Sequence, residues 1–287
     1  MKIGLIINID KEKSLLCARK IAQLFLSNNA EIALNNSLKE KIGFDTDKNI
    51  SYFDSDENVI MNSDVTVTVG GDGTIIHNAK FAAVNKKPLI GVNMGRIGFV
   101  AGIEQDEIEE LIKLLDGDYR IQHRMLLSVK LRHNSEEKEF LAVNEALVSR
   151  DLLKSIIDIN VSLNDEKIIT YRADGMIFAT PTGSTAYSFS SGGPVIEPDM
   201  ECILLTPVCP HALSSRQVVF RNDSKLTVSV DNADTNRCYL VIDGQNSFEL
   251  NKEDEVVITK SDMYLDLIIL KEKNFYTLLN EKLKEKP

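Results

Sequence analysis

The stretch Gly70-Gly71-Asp72-Gly73-Thr74 constrains this chain more than any other. Val65-Thr66-Val67-Thr68-Val69 leads into it with β-branched residues throughout, and Ile75-Ile76-His77-Asn78-Ala79-Lys80-Phe81-Ala82 follows with apolar positions at helical spacing. Buried strand, glycine turn and helix start therefore come in direct succession. Three glycines in five positions let the backbone approach a ligand closely, and the first amides of a helix have no partners inside it. Such a place binds phosphate. Asp72 is the odd member, because a carboxylate adds repulsion that a plain anion nest would avoid. Three roles remain open to it: accepting the proton of an attacking hydroxyl, holding Mg2+ on phosphates, or satisfying amides of its own turn. The spacing does not make a Walker A loop, whose lysine is missing here.

At 287 residues the chain exceeds the usual size of a single core, so two domains are expected. A formal net charge of −10, from 33 basic and 43 acidic residues, speaks against a nucleic-acid surface. Anion binding must then rest on backbone amides and a few placed cations, of which Arg96, Arg124, Arg172 and Arg216 lie near the motifs. The apolar stretch at residues 3–7 is too short for a signal-peptide core, and no apolar run reaches the length of a membrane span. A cytoplasmic protein without a membrane partner is the expectation. Cys17, Cys202, Cys209 and Cys238 form no Cys-x-x-Cys pair, and His77, His123, His133 and His211 are scattered. Reduced, mostly buried thiols and no protein metal site are expected.

The first third alternates strand and helix: a strand at 2–8, a helix at 12–27 with Leu15, Ala18, Ala22 and Phe25 on one face, and a strand at 31–34. Residues 43–64 hold six acids against one lysine and read as a solvated connection. After the strand and helix around Asp72 come a strand at 89–92, a glycine loop at 93–99 and a helix at 105–115. This order predicts an α/β domain with a parallel sheet. Past Gly117 the pattern becomes strand after strand, at 126–131, 140–149, 156–163, 167–172, 176–179, 225–230, 239–242 and 255–259, which predicts a β-rich second domain. Residues 273–286 form an amphipathic tail with Phe275, Tyr276, Leu279 and Leu283 at helical intervals. The expected division is 1–120, 121–261 and a returning strand and helix at 262–287.

Three further segments are polar where a plain scaffold would not need them. Thr180-Pro181-Thr182-Gly183-Ser184-Thr185-Ala186-Tyr187-Ser188 reads as a turn and a helix start, with Ser184 as cap and the Tyr187 ring able to stack on a base. Asn144-Glu145 interrupts an otherwise apolar strand, read locally as a bulge or an exposed edge. Asp243-Gly244-Gln245 reads as a hairpin turn.

Taken in order, Gly70 to Thr74, Gly91-Val92-Asn93-Met94-Gly95-Arg96-Ile97-Gly98-Phe99, Asn144-Glu145, residues 171–194 and Asp243-Gly244-Gln245 give the chain a close resemblance to the bacterial NAD kinase family over most of its length. The resemblance implies an N-terminal α/β domain and a C-terminal β-rich domain with a cleft between them, usually in homodimers or homotetramers. It implies phosphorylation of the adenosine-ribose 2′-hydroxyl of NAD by ATP with Mg2+, or by polyphosphate, to give NADP. Asp72 would be the base, while Gly70, Gly71, Gly73 and Thr74 would hold phosphate. Asn144 and Glu145 would contact the dinucleotide, and Arg172 and Asp174 would lie near its nicotinamide half. Thr185, Ala186, Tyr187, Ser188, Phe189 and Ser190 would hold the adenosine, Gln245 would add a contact, and His77 would either reach substrate or pack in the core. Two other readings stay open: a lipid or sugar kinase sharing the glycine-aspartate loop, and a dinucleotide-binding module without catalysis.

Overall fold

The alternation of β-branched runs with helices in the first third produces a parallel sheet, as seen in a computed structural model of the chain. The structure describes all residues except 9–11, 44–47, 96–97, 134–135, 152–154, 213–214, 232, 234–236, 273 and 285–287, together with the side chains of 282 and 283. Arg96, Ile97 and the side chain of Leu283 thus lie outside the described residues.

Two units emerge, Met1–Arg124 with Leu265–Pro287, and Met125–Tyr264. In the first, the strands Ile50–Phe53, Glu31–Asn35, Lys2–Ile7, Val65–Gly70 and Leu89–Asn93 lie side by side, all parallel. The end of Glu255–Ile269 joins beyond them, with Leu267 opposite Leu89. Every residue of Val65–Gly70 is buried, Thr66 and Thr68 included, so the alternation of valine and threonine marks no solvent-exposed face. The helix Glu12–Ser27 buries Cys17, Ala18, Ile21, Ala22 and Phe25, a stripe at helical period packed into the same core.

One expectation fails here. Residues 43–64 are no open connection: they contain the edge strand Ile50–Phe53 and the helix Asp56–Met61. Ser55 caps that helix by accepting the Asn58 amide at 3.1 Å, and Asp56 and Glu57 occupy its first turn, where the helix dipole favours acids. The acidic run marks a helix start. At the other end of the chain, the helix Phe275–Lys284 belongs to the first unit, and the Phe275 ring centroid lies 6.2 Å from that of Phe99.

The second unit holds two sheets. One contains Glu166–Ala173, Ile157–Leu163, Leu226–Val230, Glu255–Ile269, Arg120–His133 and Glu136–Ala142; the other orders Val218–Arg221, Cys202–Val208, Gly175–Ala179, Glu145–Arg150, Cys238–Ile242 and Asn246–Leu250. Inward residues such as Met125, Leu127, Val148, Ile159, Phe178 and Leu240 form its core. The expected single strand at 140–149 is two strands in different sheets, broken at Val143 and Asn144, so the polar pair marks a change of sheet rather than a bulge. Strands Cys202–Val208, Val218–Arg221 and Asn246–Leu250 were not expected: Pro207 interrupts the first, the second is a short edge, and the third is mostly exposed and polar. The fold class is thus an α/β unit with a mostly parallel sheet and a β-rich unit. Among the described residues no helix is long and apolar enough to cross a membrane. Cys17, Cys202 and Cys238 are buried, Cys209 is exposed, and all four are free thiols.

Candidate active site

The strand Val65–Gly70 ends directly below the helix Asp72–Val84, with Gly71 as the extended residue between them. The Gly71 carbonyl accepts the amides of Thr74 and Ile75 at 3.0 and 3.2 Å, so the helix begins at Asp72 itself, earlier than the apolar spacing indicates. Thr74 folds back over the strand end, where a Cβ on Gly70 would stand 2.6 Å from its Oγ1; residue 70 must therefore be glycine. Asn8 donates to that same Oγ1 at 3.3 Å. A Cβ at Gly71 or Gly73 would meet no atom of the described residues within 4 Å, which leaves space among them beside the first helical amides.

The Asp72 carboxylate is half-buried and points to the neighbouring glycine loop, accepting the amides of Phe99 at 3.0 Å and Val100 at 3.4 Å. Gly98 belongs to the same contact, since any Cβ there would collide with Asp72 Oδ1. Asn93 steadies the loop at its other end: its Oδ1 accepts the Gly95 amide at 3.1 Å, and its Nδ2 donates to Glu104 at 2.9 Å. His77 lies exposed on the helix with its ring edge-on to Phe81, 5.9 Å between centroids.

In the second unit the expected residues gather around the break between sheets. The Asp243 carboxylate accepts three successive amides, those of Val143 at 3.0 Å, Asn144 at 2.8 Å and Glu145 at 3.1 Å. Asp243 reaches them from the hairpin turn, where it and Gly244 adopt φ of 48° and 67°. Its own amide donates to the Glu145 carbonyl at 3.0 Å. From the other side, Thr180 accepts nothing from the bend but grips it twice, its hydroxyl donating to the Val143 carbonyl at 2.7 Å and its amide to the Asn144 carbonyl at 2.9 Å. Gly183 passes so close to the Asn144 carbonyl that no side chain fits.

Glu145 is the electrostatic outlier. Burial, reinforced by the nearby Asp243 charge and opposed by a hydrogen bond from the Tyr187 amide, pushes its carboxyl up to about 7. Its Oε2 is buried and has no hydrogen-bond partner among the described residues. A buried polar atom left in this state is costly, and a ligand hydroxyl or amide would satisfy it.

The remaining expected residues divide by what already holds them. Asp174 is paired with Arg150 at 2.7 Å, whereas Arg172 is exposed and stands 3.9 Å from Asp158. Thr185 and Ala186 are partly covered; Tyr187, Phe189 and Ser190 are exposed, as is Gln245. The Ser188 hydroxyl is buried against that of Thr206 at 2.8 Å, so its side chain is already engaged. Ser184 does not cap a helix: its hydroxyl is buried, donating to the Pro181 carbonyl at 2.7 Å and accepting the Ile196 amide at 3.0 Å. The segment makes a 3-10 turn at Thr182–Thr185 and one helical turn at Tyr187–Ser190, because Ser184 ties it down to the strand-side loop. Of the four cations, Arg124 is buried with its guanidinium on Gln122 at 2.7 Å, and Arg216 donates to the Ser215 carbonyl at 2.9 Å.

Asp243, Gly98, Thr180 and Arg150 were not among the expected site residues. Asp243 stood inside a quoted motif, but its target amides are about a hundred positions away and leave no local signal. A surface hollow of about 730 Å³ in the first unit, lined by Lys13, Leu16, Arg19, Lys20 and Gln105 among others, contains none of the expected residues.

A glycine loop that sets one carboxylate at a helix start is the kind of place that binds phosphate. Comparison with known proteins narrows the class. The ATP-NAD kinase N-terminal domain family matches residues 3–119, and the ATP-NAD kinase C-terminal domain family matches residues 143–270. The NAD kinase of Thermoanaerobacter sp. (strain X514) is 36% identical over 289 residues, covering 99% of both chains, and that of Acetivibrio thermocellus is 34% identical over 285 residues, covering 99% of this chain and 97% of the relative. Among solved structures, yeast NADH kinase complexed with NADH shares the fold at a TM-score of 0.85 and 23% identity, over 99% of this chain and 87% of that one. An NAD kinase from Archaeoglobus fulgidus in complex with ATP superposes at 0.75 with 25% identity, over 99% of both chains. The chain belongs to the NAD kinase family.

Proposed function

We propose that this protein transfers the γ-phosphate of ATP to the 2′-hydroxyl of the adenosine ribose of NAD, giving NADP, with Asp72 as general base. The Asp72 carboxylate takes the hydroxyl proton as the ribose oxygen bonds to the γ-phosphorus and the bond to the ADP oxygen breaks. A carboxylate has about four lone-pair sites, and two of them face the amides of Phe99 and Val100. Such a base contributes about 10²- to 10⁴-fold, and positioning supplies the rest. The open space at Gly71 and Gly73 gives phosphate oxygens access to helix-start amides, with Gly70 and Thr74 shaping the turn.

NAD would be held by Asn144, Glu145, Arg172, Asp174, Gln245 and the segment Thr185, Ala186, Tyr187, Ser188, Phe189 and Ser190, with Ser188 acting through its backbone. His77 is assigned to the exposed helix face. Among the described residues no group of three or more acidic, histidine or cysteine side chains is placed to hold a metal ion. That donor set fits Mg2+ only as a companion of the ATP phosphates, with Asp72 the one carboxylate in the loop, and there the ion would neutralise phosphate charge. A cytoplasmic homodimer or homotetramer completes the reading.

The Glu145 oxygen without a partner among the described residues, beside a bend whose backbone amides and carbonyls are hydrogen-bonded, is the observation that carries the dinucleotide site. The test is incubation with NAD, ATP and Mg2+ while NADP is measured. NADP formation is expected. Tight NAD binding without turnover would favour a non-catalytic module, and phosphorylation of a lipid or sugar in place of NAD would favour the other kinase reading; polyphosphate replaces ATP in a parallel arm.

A further inference from the structure

We infer that Asp243 is a positioning residue for the dinucleotide, acting through Asn144 and Glu145 rather than touching the ligand. This rests on the dinucleotide reading of the site above. The chain leaves one sheet at Ala142 and enters the other at Glu145, and the two residues between them belong to no ladder. Backbone amides at such a break need other acceptors. One carboxylate supplies three, at 3.0, 2.8 and 3.1 Å to residues 143, 144 and 145, from the tip of a hairpin almost a hundred residues later. The hairpin must place this acid at φ 48°, a conformation that aspartate and asparagine tolerate better than most residues. Opposite the carboxylate, Thr180 holds the carbonyls of Val143 and Asn144. Amides and carbonyls are thus clamped from two sides, and the Asn144 and Glu145 side chains have a fixed origin.

The clamp has an electrostatic consequence. Two carboxyl groups share this bend, and the amides favour the charged form of Asp243. The proton therefore belongs on Glu145. Of the elements packed on it, the hairpin contributes the Asp243 charge, and the Tyr187 turn contributes a backbone amide. Strand Gly175–Ala179 bears no titratable residue, and in Cys238–Ile242 the titratable Cys238 and Tyr239 stand at the far end, opposite Arg150 and Ser149. Near neutral pH Glu145 then offers a hydroxyl donor as well as an acceptor, which suits a sugar hydroxyl.

Two variants, Asp243→Asn and Glu145→Gln, test the assignment, with three readouts. Asp243→Asn should raise the KM for NAD about tenfold, while the KM for ATP and kcat change by less than about threefold. It should also move the titration of the Glu145 carboxyl carbon, followed by NMR, to lower pH than in the unsubstituted protein. In Glu145→Gln the corresponding pH dependence of the NAD KM should vanish. Equal losses in both KM values and kcat, or an unmoved Glu145 titration, would overturn the inference. Should Asp243→Asn fail to fold, hydrogen exchange in the unsubstituted protein decides: slow exchange at the amides of residues 143–145 is expected, and exchange at loop rates would overturn it. Failure of the dinucleotide reading itself shows separately, as absence of NADP formation by the unsubstituted protein.

Discussion

Asp72 and Asp243 are the same side chain caught in the same way, by backbone amides of a segment distant in sequence, yet they are suited to different work. Asp72 takes two amides at 3.0 and 3.4 Å and is flanked by Gly71 and Gly73, whose missing side chains leave space around it. Asp243 takes three, all at 3.1 Å or less, on consecutive residues. A carboxylate at a helix start beside open space is placed to receive a proton, whereas one that accepts three consecutive amides is placed to hold that backbone.

The largest expected effect breaks the comparison at its reactive side. Asp72→Asn keeps a side chain that accepts one amide but removes the proposed base, and should lower kcat by about 10²- to 10⁴-fold with NAD affinity little changed. Steady-state kinetics and equilibrium binding check it together. Glu145→Gln sharpens the other side through stability. The folded carboxyl titrates at about 7 against 4.5 unperturbed, so its contribution to stability is full below about 4.5 and is lost as pH rises through about 7. Urea unfolding at pH 5 and pH 8 should show the unsubstituted protein losing up to about 3 kcal/mol relative to Glu145→Gln across that interval.

Smaller effects probe the supports. Gly98→Ala forces a methyl group against Asp72 Oδ1 and should reduce kcat about tenfold through displacement of the carboxylate, with a crystal structure or kinetics as the check. Tyr187→Ala removes an exposed ring proposed to stack on adenine and should raise the KM for NAD about tenfold, the order expected for one lost stacking contact.

Much of this was legible along the chain because it is local. The strand, glycine turn and helix around Asp72 are written in adjacent residues, and the helix Glu12–Ser27 follows from its apolar period. Asn144-Glu145 was visible as an anomaly, but its cause was not, since a break between two sheets depends on where Asp243 and Thr180 end up. The acids at 54–57 misled for the opposite reason: near a helix start, charge is structural, and composition alone reads it as solvation. Ser184 misled likewise, because a hydroxyl before a helical turn looks like a cap until the Ile196 amide is found on it. Asp174 was singled out without Arg150, its partner across the strand pair, because spacing in sequence carries no trace of that ion pair.

The most direct measurement of the central claim is a structure of the protein with NAD bound. The account predicts the ribose 2′-oxygen within about 2.6–3.2 Å of an Asp72 carboxylate oxygen. A 2′-oxygen lying elsewhere, with the Asp72 carboxylate still turned to the amides of Phe99 and Val100, would contradict it.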